Sequence, residues 1–265
     1  MTASQSPPAP RRWRINLWGL AAALLALAAL AITLVRVKIR SGVTATAHGE
    51  QLALKLGCFS CHGMGGEAGI ANPGSDDKTV PAWTGGTALM YILKPEELDE
   101  WLLDGFPKRE ANEDRSARTF TMPAYRGRMS AAEFSDLKIY LRAVMALDAP
   151  VDGDAKAGYE IARDAGCFGC HGPSGRGLRG NPGSLAGYIP AWEGPVFTDL
   201  AKDDGEIAEW IRTGTAKRMQ HNRIAAYFMK RQLIPMPAYE KQLKQEEIQQ
   251  IVAYIHWLRT PPPAP

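Results

Sequence analysis

Apolar residues crowd into one unbroken run near the start of the chain and afterwards recur at helical spacing. From Ile15 to Val35 there are 21 uncharged, mostly apolar residues. At about 1.5 Å per residue they reach about 31 Å, the thickness of a bilayer core, which predicts a membrane-spanning helix over 15–35. Near the other end, Ile248, Ile251, Val252 and Ile255 fall at i, i+3, i+4 and i+7, one face of a helix. A similar run covers Ala132–Met145, and shorter helices are predicted at His48–Leu56, Pro95–Leu103, Ala155–Ala165 and Gly205–Arg212. No run alternates apolar and polar positions convincingly, so no substantial sheet is expected. Thr260–Pro265 has the composition of a solvated tail.

The pattern repeats. At an offset of 109 residues, Gly49 falls on Gly158, Asn72-Pro73-Gly74-Ser75 on Asn181-Pro182-Gly183-Ser184, Pro81-Ala82-Trp83 on Pro190-Ala191-Trp192, and Trp101 on Trp210. After Gly214 the offset becomes 114, pairing Met122-Pro123-Ala124-Tyr125 with Met236-Pro237-Ala238-Tyr239 and Tyr140 with Tyr254. The shift is a five-residue insertion in the second copy. The repeat implies two homologous helical domains of ordinary size, divided at the turn-rich stretch 148–153.

Charge locates itself unevenly. Residues 1–40 carry six Lys/Arg and no acid, residues 41–150 carry 11 against 15, and residues 151–265 carry 14 against 13. The formal charge of +3 therefore belongs to the N-terminal segment. The rest of the chain is mildly acidic and has no footprint for nucleic acid. Ala45-Thr46-Ala47 offers a signal-peptidase pattern, but the apolar run exceeds an ordinary signal core, and Arg36, Lys38 and Arg40 stand between it and that site. An uncleaved anchor is expected, with Trp13 and Trp18 suited to an interfacial belt. Three basic residues precede the span (Arg11, Arg12, Arg14) and three come after it, so charge leaves its orientation open.

The only four cysteines stand in Cys58-Phe-Ser-Cys61-His62 and Cys167-Phe-Gly-Cys170-His171. A structural zinc site would gather its two pairs 15–20 residues apart, whereas a whole domain separates these. A dithiol redox pair gives no reason for the next residue to be fixed. Covalent haem attachment needs that histidine, because the thiols fix the vinyl groups and the imidazole reaches the iron. Two covalently bound haem c groups are therefore expected.

Both halves resemble class I cytochrome c domains, and the whole, over 45–260, resembles a membrane-anchored dihaem cytochrome c. The resemblance implies an all-α fold: a cytoplasmic segment 1–14, an anchor 15–35, a linker 36–44, cytochrome c domains 45–149 and 150–260, and a tail 261–265. It implies an axial methionine in the loop before each last helix. Met122 and Met236, 60 and 65 residues after His62 and His171 in identical Met-Pro-Ala-Tyr contexts, occupy that place. Met90, Met129 and Met145 are read as core filler, His221 as a surface residue, and His48 and His256 as ordinary helix residues. Pro81 and Pro190, each 19 residues after its histidine, resemble the proline whose carbonyl accepts the proximal imidazole N–H. Gly49 with Tyr140 and Gly158 with Tyr254 resemble the crossing of first and last helices. For Trp83 and Trp192, a bond to a haem propionate and packing on the porphyrin both stay open.

In this family haem is attached outside the bacterial cytoplasmic membrane, so the resemblance implies periplasmic domains on an inner-membrane anchor. With both irons six-coordinate, single-electron transfer in a respiratory or photosynthetic chain is expected rather than catalysis. A quinol-oxidising complex, an oxidase, a reaction centre or a dehydrogenase would be the partner. A dihaem peroxidase with one labile axial ligand is the alternative, and a haem-based sensor or assembly module a third reading. The basic stretch Thr215–Leu233 is read as a solvated loop able to meet lipid headgroups or an acidic partner.

Overall fold

The computed structural model describes residues 17–40 and 42–260. The expected cytoplasmic segment 1–14 with Trp13, and the tail 261–265, lie outside the described residues. Helix α1 (Leu17–Arg40) contains a 20-residue stretch, Trp18–Val37, of mean hydropathy 2.4, long and apolar enough to cross a membrane by length and composition. Unbranched cations propagate a helix well. The helix therefore continues past the apolar run, and the expected linker 36–44 shrinks to 41–44. Helix α1 stands as a unit by itself, and the chain after it packs into a second.

The second unit is helical: α2 (Ala45–Lys55), α3 (Phe59–His62), α4 (Glu97–Asp104), α5 (Ala131–Val144), α6 (Gly153–Asp164) and α7 (Cys167–His171), then α8 (Pro195–Leu200), α9 (Asp204–Thr213), α10 (Lys217–His221), α11 (Arg223–Arg231) and α12 (Gln245–Arg259). Among the described residues, extended pairing is limited to β1 (Arg179–Gly180) against β2 (Tyr188–Ile189), antiparallel, and one bridge between Ala71 and Thr79. Caps set the helix starts. Thr44 Oγ1 accepts the Ala47 N–H at 3.2 Å, which begins α2 three residues before the expected His48. Ser130 and Glu133 close a reciprocal capping box on α5.

Helix α2 crosses α5, and α6 crosses α12. Glycine sits at both crossings because nothing larger fits. A Cβ on Gly49 would overlap the Asp136 carbonyl and Tyr140, and one on Gly158 the Gln250 carbonyl. Two apolar clusters result, one around Leu52, Leu98, Leu102, Leu137, Tyr140 and Leu141, the other around Ala162, Ile207, Ile211, Ile248, Ile251 and Tyr254. Polar contacts stitch the first copy to the second. Ser174 Oγ donates to the Ala143 carbonyl at 2.8 Å, Thr44 Oγ1 to the Arg176 carbonyl at 2.7 Å, and Arg179 pairs with Glu50 at 2.7 Å.

Two expectations need correction. Thr215–Leu233 is not a simple loop, since it holds α10 and α11. The Asn222 side chain accepts the N–H groups of Ile224 and Ala225, capping α11, while Met219, Phe228 and Met229 turn inward. Met90 is not core filler: its side chain ends a short 3-10 turn and is 68% exposed. Met145 is buried and Met129 packs against the first cluster.

Candidate haem-binding sites

A glycine turn delivers each cysteine pair. Helix α2 ends at Leu56, and Gly57 takes a φ of +79° that favours glycine. Gly57 N–H donates to the Leu54 carbonyl and Cys58 N–H to the Ala53 carbonyl, the paired bonds that close a helix C-terminus and turn the chain. Cys58 and Cys61 then lie three apart on one helical turn, so both thiols share a face with His62 directly after them. In the second copy Gly166, at φ +77°, precedes Cys167, Cys170 and His171 on α7 in the same way. The four cysteines form no disulfide. Among the described residues, no three His, Cys, Asp or Glu side chains gather as a metal site.

Both histidines are anchored alike. His62 Nδ1 lies 2.8 Å from the Pro81 carbonyl and His171 Nδ1 lies 2.9 Å from the Pro190 carbonyl. A carbonyl can only accept, so Nδ1 carries the hydrogen and Nε2 keeps its lone pair for an iron. Burial holds both imidazoles below the ordinary histidine pKa, favouring the neutral form that a metal binds. Burial likewise raises the Cys58 thiol and pushes Cys167 up to about 11. The indole of Trp83 lies 4.8 Å from the His62 ring, and that of Trp192 lies 5.1 Å from the His171 ring, centroid to centroid. Each indole is buried against a Phe and a Tyr, Phe59 and Tyr140 or Phe168 and Tyr254.

The methionine loops are held by their backbones. Gly105, at φ +81°, caps α4 so tightly that a Cβ there would overlap the Met122 carbonyl, and Gly214, at φ +75°, stands so against Met236. Tyr125 N–H donates to the Leu102 carbonyl and Tyr239 N–H to the Ile211 carbonyl, both at about 3.0 Å. Farther upstream, Asn72 clasps the Phe120 backbone with its amide, and Asn181 clasps that of Ile234. Met122 packs half-buried against the first cluster, and Met236 against the second, where Cys167 and Trp192 also lie.

In the first copy these pieces enclose a cavity of about 360 Å³, within the range of ligand sites. Cys58, Cys61, His62, Pro81, Trp83 and Met122 all line it. Its wall is mostly apolar, with Val80, Ile92, Leu98, Leu102 and Leu141, while Asn72, Ser75, Arg115 and Arg118 make a polar part. Arg115 Nε is buried without a hydrogen-bond partner, which a ligand carrying carboxylates would satisfy. Two thiols, a neutral imidazole, a thioether and an apolar wall fit a covalent haem with His/Met ligation.

Residues 155–259 match the family model of cytochrome c. No curated protein and no solved structure matches the chain. The match supports a c-type cytochrome, an electron-transfer protein with covalently bound haem. It spans Cys167, Cys170, His171, Pro190, Trp192 and Met236. The first copy lies outside it and is linked to the second by the repeated geometry.

Sequence reasoning missed Arg115, Arg118, Asn72 and Phe120 as walls of the first cavity. Asn72 carried a signal, since it recurs as Asn181. The arginines carried none, because at the 114-residue offset Arg115 falls on Met229 and Arg118 on Gln232.

Proposed function

We propose that the chain is a membrane-tethered dihaem cytochrome c, passing single electrons between redox partners of a respiratory or photosynthetic chain. It is read as a carrier, alone or as a subunit of an oxidoreductase complex. Its haem domains, 45–149 and 150–260, face the periplasm from the bacterial inner membrane. The observation that carries the reading is the pair of matching His–Pro bonds, 2.8 and 2.9 Å, each behind a Cys-x-x-Cys turn. Cys58, Cys61, Cys167 and Cys170 would hold the porphyrins, and His62 with Met122 and His171 with Met236 would take the irons. When bound, the haem supplies an iron that exchanges one electron. The chain's own residues fix each imidazole through Nδ1 and exclude water with Trp83 and Trp192. Helix α1 supports the tether by its length and hydropathy. A quinol-oxidising complex, an oxidase, a reaction centre or a dehydrogenase is the fitting class of partner.

The test is haem content per polypeptide, followed by an optical redox titration under carbon monoxide. Two haems, both low-spin and silent toward carbon monoxide, are expected. One haem per chain would restrict the reading to the second copy. Two haems of which one binds carbon monoxide would move the reading to the peroxidase alternative.

A further inference from the structure

The insertion that distinguishes the second copy lies in the stretch that folds as α10 and α11. Residues 210–239 contain six Lys/Arg and no Asp or Glu, whereas the corresponding 101–125 of the first copy carry four acids and four bases. At about 100° per residue, Arg223, Ile224, Tyr227, Lys230 and Arg231 share one face of α11, spanning about 120°. All five are exposed, Ile224 at 67% and Tyr227 at 55%, and Leu233 beyond the helix is 71% exposed. Phe228 and Met229 turn toward the protein, so the outward face is not the one that holds the helix down. Arg218 is committed to Glu206, but among the described residues Arg223, Lys230 and Arg231 form no ion pair. The Arg231 guanidinium instead lies 5.4 Å over the Tyr227 ring.

We propose that this face of α11 lies against an anionic lipid surface. Interleaved cations and large apolar side chains on one exposed face are what a helix at the headgroup boundary presents, the cations to phosphates and the apolar groups to acyl chains. An acidic protein surface would match the cations too, so the choice of lipid needs a second argument. Chain length supplies the second argument, and it rests on the tethered reading above. Only residues 41–44 separate α1 from α2, a reach of at most about 14 Å, so an anchored α1 keeps the second unit at high effective concentration next to headgroups.

The test uses the full haem-loaded chain in nanodiscs of phosphatidylcholine alone, or with phosphatidylglycerol as about a third of the lipid. Amide hydrogen exchange of 223–231 is read in each. We expect roughly tenfold slower exchange in the anionic discs, lost at high salt and lost in the triple variant Arg223→Glu, Lys230→Glu, Arg231→Glu. A control variant, Lys156→Glu with Lys241→Glu, keeps the protection, and an unchanged haem spectrum shows that each variant is folded. Equal exchange in both discs, or protection indifferent to the triple variant, overturns the proposal while leaving the tether intact. Loss of the chain from the discs in an alkaline wash would instead overturn the tether. The α11 proposal is then decided by flotation of the same chain with phosphatidylglycerol vesicles: binding that the triple variant abolishes sustains it, and no binding refutes it.

Discussion

Gly105 governs where Met122 can stand. Its φ of +81° already disfavours any side chain, and a Cβ would overlap the Met122 carbonyl. Gly105→Ala is expected to cost more than about 2 kcal/mol, the left-handed penalty plus the clash, and to lower Tm by roughly 4–8 °C. Gly127 has a similar φ of +76° with nothing within 4 Å of a Cβ, so Gly127→Ala isolates the conformational part and should cost only about 1 kcal/mol. Thermal melts of the two variants compare them directly. Equal shifts would mean that the Met122 backbone yields freely. The thioether itself is tested by Met122→Ala, which should let one haem bind carbon monoxide, whereas the exposed Met90→Ala should leave the spectrum unchanged. Carbon monoxide binding in neither variant would remove Met122 as a ligand.

Each copy fastens its middle helix by the same device. In α9, Glu206 accepts from Arg218 Nε at 2.6 Å and Nη2 at 2.8 Å and from the Lys202 N–H at 2.9 Å; in α4, Glu97 accepts from Arg109 Nε at 3.0 Å and the Leu93 N–H at 2.7 Å. The Arg218 bonds hold the Glu206 carboxyl well below its ordinary 4.5, at about 2. A folded-state value below the unfolded one means that the stabilisation is complete above about 4.5 and fades as pH falls toward 2. Glu206→Gln should therefore lower Tm at neutral pH and flatten its fall between those two values, the curves meeting near pH 2. Parallel curves would show that other carboxylates dominate. The glutamates and arginines of this device stand 109 residues apart, which carries that offset past Gly214 to Arg218 and puts the insertion after it; nothing in the sequence says that they bond. The helices themselves were more legible: α5 and α12 come from apolar period and length, and only their ends moved, by caps such as Ser130. Helix α11 was hidden because it is only nine residues long and its apolar series, Ile224, Tyr227 and Phe228, meets Arg231 at the next turn. The cysteine turns and methionine contexts could be read as repeats. The arginines of the first cavity could not, since Arg115 and Arg118 reach it through the tertiary path of the 106–121 loop.

Two apolar clusters joined by a polar seam pose a question of magnitude: whether the copies melt together. Each of the two hydrogen bonds across the seam, one buried and one part-buried, contributes about 0.5–1.5 kcal/mol, and the partly exposed Arg179–Glu50 pair up to about 1. The seam then amounts to a few kcal/mol, a sizeable share of the 5–15 kcal/mol that typically stabilises a domain. Ser174 is its most buried member: its hydroxyl meets the Ala143 carbonyl of α5, and its carbonyl accepts the Tyr254 hydroxyl of α12 at 2.8 Å. That residue ties the last helix of each copy to the other, so the haem-loaded protein is expected to unfold in one calorimetric transition. Ser174→Ala removes the hydroxyl bond to the Ala143 carbonyl, which keeps the Ala146 N–H at 3.3 Å, and should cost about 0.5–1.5 kcal/mol. Combined with Arg179→Met, it should split the transition into two, with the Tyr254 bond kept in both variants. A wild-type melt already in two separated steps would show that each cluster carries its own copy and that the seam is too weak to couple them.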